Sequence, residues 1–197
     1  MFKIAVLVSG GGTNLQSIID AIEQKQLNAQ IALVISSNHH AYALERAKKY
    51  NIETLVVSKK QYENPSNQIL NATVNRHIDL IVLAGYLGIL KGDLLKTYKN
   101  KIINIHPALL PKFGGPGMYG HYIHEAVISA KETESGCTVH FVNEAVDEGK
   151  IILQEKVKVL SNDTPKTLAA RILLIEHKLL PKAIALLANK TNNSIQN

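Results

Sequence analysis

The 197-residue chain has no tryptophan and a single cysteine, Cys137. One cysteine excludes an internal disulfide, and no CxxC pair offers a zinc site, so neither device staples this fold; a reducing compartment, the cytoplasm, is the expectation. Long apolar runs are also missing. The segment "IAVLV" ends after five residues at "SGGG", too short for a signal-peptide core, and "LIVLAGYLGIL" falls short of a membrane span. The expected protein is neither exported nor embedded, and Asn162-Asp163-Thr164 then carries no glycosylation meaning. Arginine is scarce as well, present only at Arg46, Arg76 and Arg171. The net charge of +6 is therefore carried by scattered lysines without interleaved aromatics. That pattern argues against nucleic acid as a partner and for a solvated surface or an anionic small-molecule substrate.

What is present suits one soluble core: 46% hydrophobic and 19% charged residues is too apolar for a disordered chain. Short β-rich runs, "KIAVLV", "QIALVI", "ETLVV", "DLIVLA" and "KIINI", alternate with segments of helical spacing such as Leu15, Ile18, Ile19 and Ile22. Continuously apolar strands of this kind belong to a parallel sheet covered on both faces, so the fold class is α/β, doubly wound. After Gly136 the rhythm changes. "CTVHFV" and "IILQEKVKV", joined by "NEAVDEGK", read as an antiparallel pair. Thr164 before Pro165 is a predicted N-cap with proline at the first helical position of a long C-terminal helix, which Pro181 should kink or divide. Its isoleucine and leucine stripe reads as core. Residues 1–188 are expected to form one domain, and 189–197 a frayed polar tail.

Three glycines separate strand from helix in "VLVSGGGTNLQSII". Glycine permits a tight turn, and the helix N-terminus offers unpaired N–H groups to an anion, so a phosphate site and a bare turn are both open readings. A dinucleotide fingerprint is disfavoured: Gly10 and Gly12 match G-x-G-x-x-G, but Leu15 occupies the third position and "SSNHH" lacks the acidic residue a ribose needs.

In "KIINIHPALLPK", Asn104 and His106 share one face by strand period, at the C-terminal edge where open α/β sheets hold ligands. An amide to donate to a developing oxyanion and an imidazole to manage a proton are the equipment for acyl transfer to an amine. The same pair could be a satisfied polar cluster. Asp147 would settle the matter if it met His106, because a carboxylate orients an imidazole and favours its charged form.

"SGGGTNL", "LAGYLGIL", "INIHPALLPK", "GCTVHFVNEAVDEGKIILQ" and "IEHKLLPKAI" resemble, in order from residue 1 to about 188, the motifs of the phosphoribosylglycinamide formyltransferase family of purine synthesis. The resemblance implies a Rossmann-like, mainly parallel sheet with an antiparallel C-terminal portion. It also implies metal-free transfer of a formyl group from 10-formyltetrahydrofolate, the co-substrate, to glycinamide ribonucleotide. Asn104, His106 and Asp147 would be catalytic, with protonated His106 and Asn104 meeting the oxyanion and Asp147 keeping the imidazole charged. Gly12, Thr13, Asn14, Leu173, Leu174, Ile175 and Glu176 would hold the ribonucleotide. Leu87, Gly88, Ile89 and Leu90, with Asn104, Asn143, Glu144, Ala145, Val146 and Asp147, would hold the folate. The N-terminal half would be the ribonucleotide side and the C-terminal half the folate side, in a monomer or homodimer.

The chain departs from the family pattern twice. Gly88 stands where many members have arginine, so one folate contact is either missing or supplied elsewhere, by Lys59 or Lys60, and "FGGPGMYGHYIHEAV" replaces a shorter turn. The closest alternatives, methionyl-tRNA formyltransferase, formyltetrahydrofolate deformylase and amino-sugar formyltransferases, share the Asn-His-Asp set. The first two carry added domains for which this chain is expected to have no room; a binding protein without turnover is the alternative of another class. His121 and His124 lack enough neighbours for a metal, His39 and His40 read as a polar loop, His140 is given no role, and Cys137 reads as a small buried hydrophobe.

Overall fold

Period-two burial sets the first strand. In β1 (Phe2–Val8), Phe2, Ile4, Val6 and Val8 join one hydrophobic cluster while Ala5 and Leu7 join another. A strand buried on both faces belongs inside a sheet, and β1 is central in the computed structural model, which describes residues 1–195. The chain continues through α1 (Thr13–Glu23), β2 (Ala29–Ser36), α2 (Tyr42–Lys49), β3 (Thr54–Val56), α3 (Pro65–Val74) and β4 (Leu80–Leu83). It then runs through α4 (Asp93–Thr97), β5 (Ile102–His106), α5 (His121–Ser129), β6 (Glu134–Phe141), β7 (Ile151–Lys158) and α6 (Pro165–Ile195).

The sheet order is β3-β2-β1-β4-β5-β6-β7. The first five strands are parallel, and β6 and β7 run antiparallel to their neighbours, as the change of rhythm after Gly136 predicts. Because the chain leaves β1 towards β2 and returns on the other side through β4, the crevice at the C-terminal ends of β1 and β4 is the topological switch point. The two core clusters lie on opposite sheet faces: Leu15, Ile18, Leu168, Ile172 and Leu180 cover one, and Ile69, Leu94 and Leu95 the other.

Helix α6 begins where the capping signal puts it, with the Thr167 N–H donating to Thr164 Oγ1 at 3.2 Å. Pro181 does not divide it. Leu179, Leu180, Ala183 and Ile184 around the proline are buried, and burying each large side chain contributes about 1.5–3 kcal/mol, which offsets one missing backbone hydrogen bond. The segment 189–197, expected to fray, continues the helix as far as Ile195; residues 196 and 197 lie outside the described part.

Candidate active site

Alternation along β5 sends Ile103 and Ile105 into the cluster under α6 and leaves Ile102, Asn104 and His106 on the other face. The exit from the strand is held by Thr138, whose Oγ1 donates to the Ala108 carbonyl at 2.6 Å and accepts the Leu110 N–H at 3.2 Å. Gln154 adds a bond from Nε2 to the Leu110 carbonyl at 3.1 Å, and the Leu110–Pro111 peptide is cis. His106 is thereby fixed at the strand edge, only 4% exposed.

Asp147 does meet it. Asp147 Oδ2 lies 3.5 Å from His106 Nδ1, and Oδ1 lies 3.5 Å from His140 Nε2. The Gly115 N–H donates to Asp147 Oδ2 at 3.0 Å, tying the 114–120 loop to the carboxylate. His106 Nε2 is 2.8 Å from the Phe113 carbonyl, and Asn104 Nδ2 is 3.2 Å from His140 Nε2. His140 Nδ1 in turn reaches the Phe141 carbonyl at 2.9 Å, which leaves its Nε2 to accept from Asn104 when the ring is neutral. The sequence reading passed over His140. It faces Asn104 because the antiparallel register pairs the two residues, information held in the β5–β6 alignment and not in the local sequence.

Burial pulls the two partners in different ways. For Asp147 burial alone would raise the pKa, but the His140 bond, the nearby His106 and the Gly115 amide together hold the carboxyl below its ordinary range. For His106 burial is the largest influence and wins, lowering the pKa although Asp147 and the Phe113 carbonyl oppose it. Both ring nitrogens face oxygen acceptors, the arrangement that suits an imidazolium. In the substrate-free protein desolvation acts against that charge.

Gly12, which does not line the cavity described below, caps α1 with φ of 70° and sits so close to α2 that a Cβ there would lie 2.5 Å from the Ala43 Cβ. Only glycine fits. Asn14, in the first turn of α1, donates from Nδ2 to Glu176 Oε2 at 2.6 Å, while its Oδ1 is buried without a partner. Burial raises the Glu176 pKa against the lowering effect of that bond. Cys137 is fully buried, and burial, with Glu176 and Glu155 nearby, pushes its thiol up to about 12, as an inert core residue requires.

One cavity has a volume of about 820 Å³. It is lined by Ser9, Gly10, Asn14 and Glu176, by Asn104, His106, His140 and Asp147, and by the 85–90 and 142–147 segments with Met118 and Tyr119; the Leu87 N–H donates to Ser9 Oγ at 2.9 Å, so the 85–90 segment adjoins the glycine turn. Leu87 to Leu90 and Asn143 to Asp147 all line it, together with Leu83, Tyr86 and Val142, which the sequence did not single out. Leu173, Leu174 and Ile175 do not line it, and Leu174 points out with 62% exposure. Thr13 borders a second groove of about 480 Å³ with Arg46 and His177. Lys59 and Lys60 are exposed in a turn away from the cavity wall. Gly88 has a local cause: a Cβ there would lie 2.6 Å from the Tyr86 ring, which fills that part of the wall. Asn14 and Glu176, from the two halves of the chain, meet in one wall of this cavity. Among the described residues no group of three or more His, Cys, Asp or Glu could hold a metal ion, and no helix is long and apolar enough to cross a membrane.

Residues 2–184 match the formyl transferase family. The chain is 43% identical over 187 residues to a phosphoribosylglycinamide formyltransferase of Haemophilus influenzae, covering 93% of this chain and 86% of that one. It is also 43% identical over 194 residues to the trifunctional purine biosynthetic protein adenosine-3 of Drosophila pseudoobscura pseudoobscura, covering 95% of this chain but only 14% of that much longer protein. A solved glycinamide ribonucleotide transformylase 1 from Symbiobacterium toebii superimposes with a TM-score of 0.91 at 39% identity, covering 96% of this chain and 89% of the other.

Proposed function

The chain belongs to the formyl transferase family, and on that premise we propose that it transfers the formyl group of 10-formyltetrahydrofolate to the amine of glycinamide ribonucleotide. The products are formylglycinamide ribonucleotide and tetrahydrofolate, a step of purine biosynthesis in the cytoplasm. Residues 1–188 act as one unit, and every group in the scheme below comes from one chain. The reading is carried by one arrangement: Asn104, His106 and Asp147 line a single cavity together with Gly10 and Asn14 of the glycine turn, Glu176 and the apolar 87–90 segment.

The ribonucleotide phosphate lies against the Gly12, Thr13 and Asn14 turn, where helix N–H groups favour an anion. Glu176 and Asn14 meet the ribose and glycinamide portion. The flat folate ring system lies along Leu87 to Leu90 and Asn143 to Asp147; Leu87 and Ile89, each 66% exposed, are apolar surface that such a ligand would cover. The uncharged amine attacks the formyl carbon, forming a C–N bond and placing negative charge on the formyl oxygen. Asn104 donates to that oxygen through its amide. The new negative charge also raises the proton affinity of His106, so the imidazolium, its proton taken from solvent, becomes favoured at the tetrahedral stage with Asp147 facing its Nδ1, and the ring returns that proton to solvent once the charge is gone. The amine proton passes to N10 as the C–N10 bond breaks, and tetrahydrofolate leaves.

The test is a spectrophotometric assay with 10-formyltetrahydrofolate, run with and without glycinamide ribonucleotide. Loss of the formyl group only with the ribonucleotide present is expected. Loss without it would identify a deformylase, and no loss in either case would point to another acceptor or a binding protein.

A further inference from the structure

None of the described residues lining the cavity is lysine or arginine. On the cavity side of the glycine turn a phosphate would then depend on backbone amides, and the direction of those amides becomes decisive; on the other side Thr13 shares a groove with Arg46. In a trans peptide the carbonyl and the following N–H point opposite ways. The Gly10 carbonyl accepts the Ala43 N–H of α2 at 3.1 Å, and the Gly11 carbonyl accepts Nε of Arg46, also on α2, at 2.9 Å. Two successive carbonyls are thus drawn to the α2 side. The N–H groups of Gly11 and Gly12 must face away from α2, and among the described residues no protein acceptor meets them. The buried, partnerless Oδ1 of Asn14, a residue only 8% exposed, marks the same turn as shaped for something beyond the protein's own groups.

Arg46 is itself held in place. Its Nη1 donates to Gln16 Oε1 at 3.0 Å on the first turns of α1, and its guanidinium sits 5.1 Å from the Tyr42 ring centroid. The planar fork therefore bridges the glycine turn and the helix that follows it, with one donor on each. Lysine cannot reproduce this, having a single donor centre at the end of its stem.

We propose that Arg46 is a positioning residue for the phosphate end of the ribonucleotide: it acts through the Gly11 carbonyl, turning the amides of the loop towards the phosphate. The inference rests on the phosphate reading of that loop. It implies that Arg46 matters to the phosphorylated substrate and not to the formyl chemistry some distance away along the cavity.

Steady-state kinetics of the wild type, Arg46→Met and Arg46→Lys with glycinamide ribonucleotide and with its 5′-dephosphorylated riboside test this, alongside inhibition by inorganic phosphate. Arg46→Met should raise KM for the ribonucleotide about tenfold and the phosphate inhibition constant in parallel, with kcat, the folate KM and kcat/KM for the riboside unchanged. Arg46→Lys should retain most of the defect. Full rescue by lysine would show that charge suffices and overturn the positioning role. Equal losses on both substrates would show a merely structural residue and overturn it too. A wild type indifferent to the 5′-phosphate would remove the phosphate reading of the loop, a result separable from normal behaviour of Arg46→Met, which would remove only the role of Arg46.

Discussion

The carboxylate of Asp147 approaches His106 from a loop 41 positions further along the chain, Oδ2 standing 3.5 Å from Nδ1. Its own backbone is left-handed there, with φ of 60°, a conformation uncommon outside glycine and asparagine-like residues. The loop thus uses an angle that aspartate tolerates better than most residues while delivering a carboxylate to two histidines.

Asp147→Asn keeps the shape and removes the charge. Turnover should fall by roughly 10²–10⁴-fold with little change in either KM, since the charge matters most when the oxyanion forms. Rapid-quench or steady-state kcat at saturating substrates measures it; near-normal turnover would end the assignment.

Glu176→Gln leaves an oxygen to accept the Asn14 amide, so the 2.6 Å contact can survive while the charge is lost. The ribonucleotide KM should rise about tenfold, equivalent to about 1.4 kcal/mol, with the folate KM unmoved. A shift confined to the folate constant would put the two substrates at the wrong ends.

Gly88→Ala places a Cβ against the tip of the Tyr86 ring, a side chain that can swing away more cheaply than backbone can. Stability should change by less than about 1 kcal/mol, while the folate KM rises severalfold as the ring moves within the cavity wall. Chemical unfolding and folate titration separate the two effects; an unchanged folate KM would mean that Tyr86 does not border the folate.

Acid should destabilise the fold early. Burial lowers the pKa of His106, His124 and His177, so the unfolded chain binds protons more readily than the native one as pH falls through about 6.5. Stability from these groups is present above that range and lost below it. Asp147, also lowered, extends the loss as pH falls below the ordinary carboxyl value of 3.8, whereas the raised Glu176 acts in the opposite sense, its contribution being lost as pH rises above 4.5. The thermal midpoint should therefore be lower at pH 5.5 than at pH 7.5; a higher one would contradict the histidine directions.

The strands, the change from parallel to antiparallel pairing and the Thr164 cap were legible because each has a local cause: apolar period, turn residues, a capping hydroxyl. Asn104 and His106 were legible for the same reason, sharing a face by strand period. The meeting of Asp147 with His106 was not, since it depends on how a loop folds back over the sheet. His140 escaped because a histidine inside an apolar strand looks the same whether it faces core or cavity, and only the register with β5 decides. Leu173 to Ile175 came with the glutamate by motif, but helical geometry turns Glu176 inward and Leu174 out. The continuation of α6 past Pro181 reflects packing that no local breaker signal reveals.

The bond between Asn14 and Glu176 joins positions 162 residues apart. Contacts of such sequence separation form late, because the loop they close must first be ordered by everything between. On the ribosome the glycine turn and the central strands emerge first, yet the cavity wall at Asn14 gains its carboxylate only when α6 docks. A substrate that uses Glu176 would bind only the form with α6 in place, and would stabilise that docking by mass action.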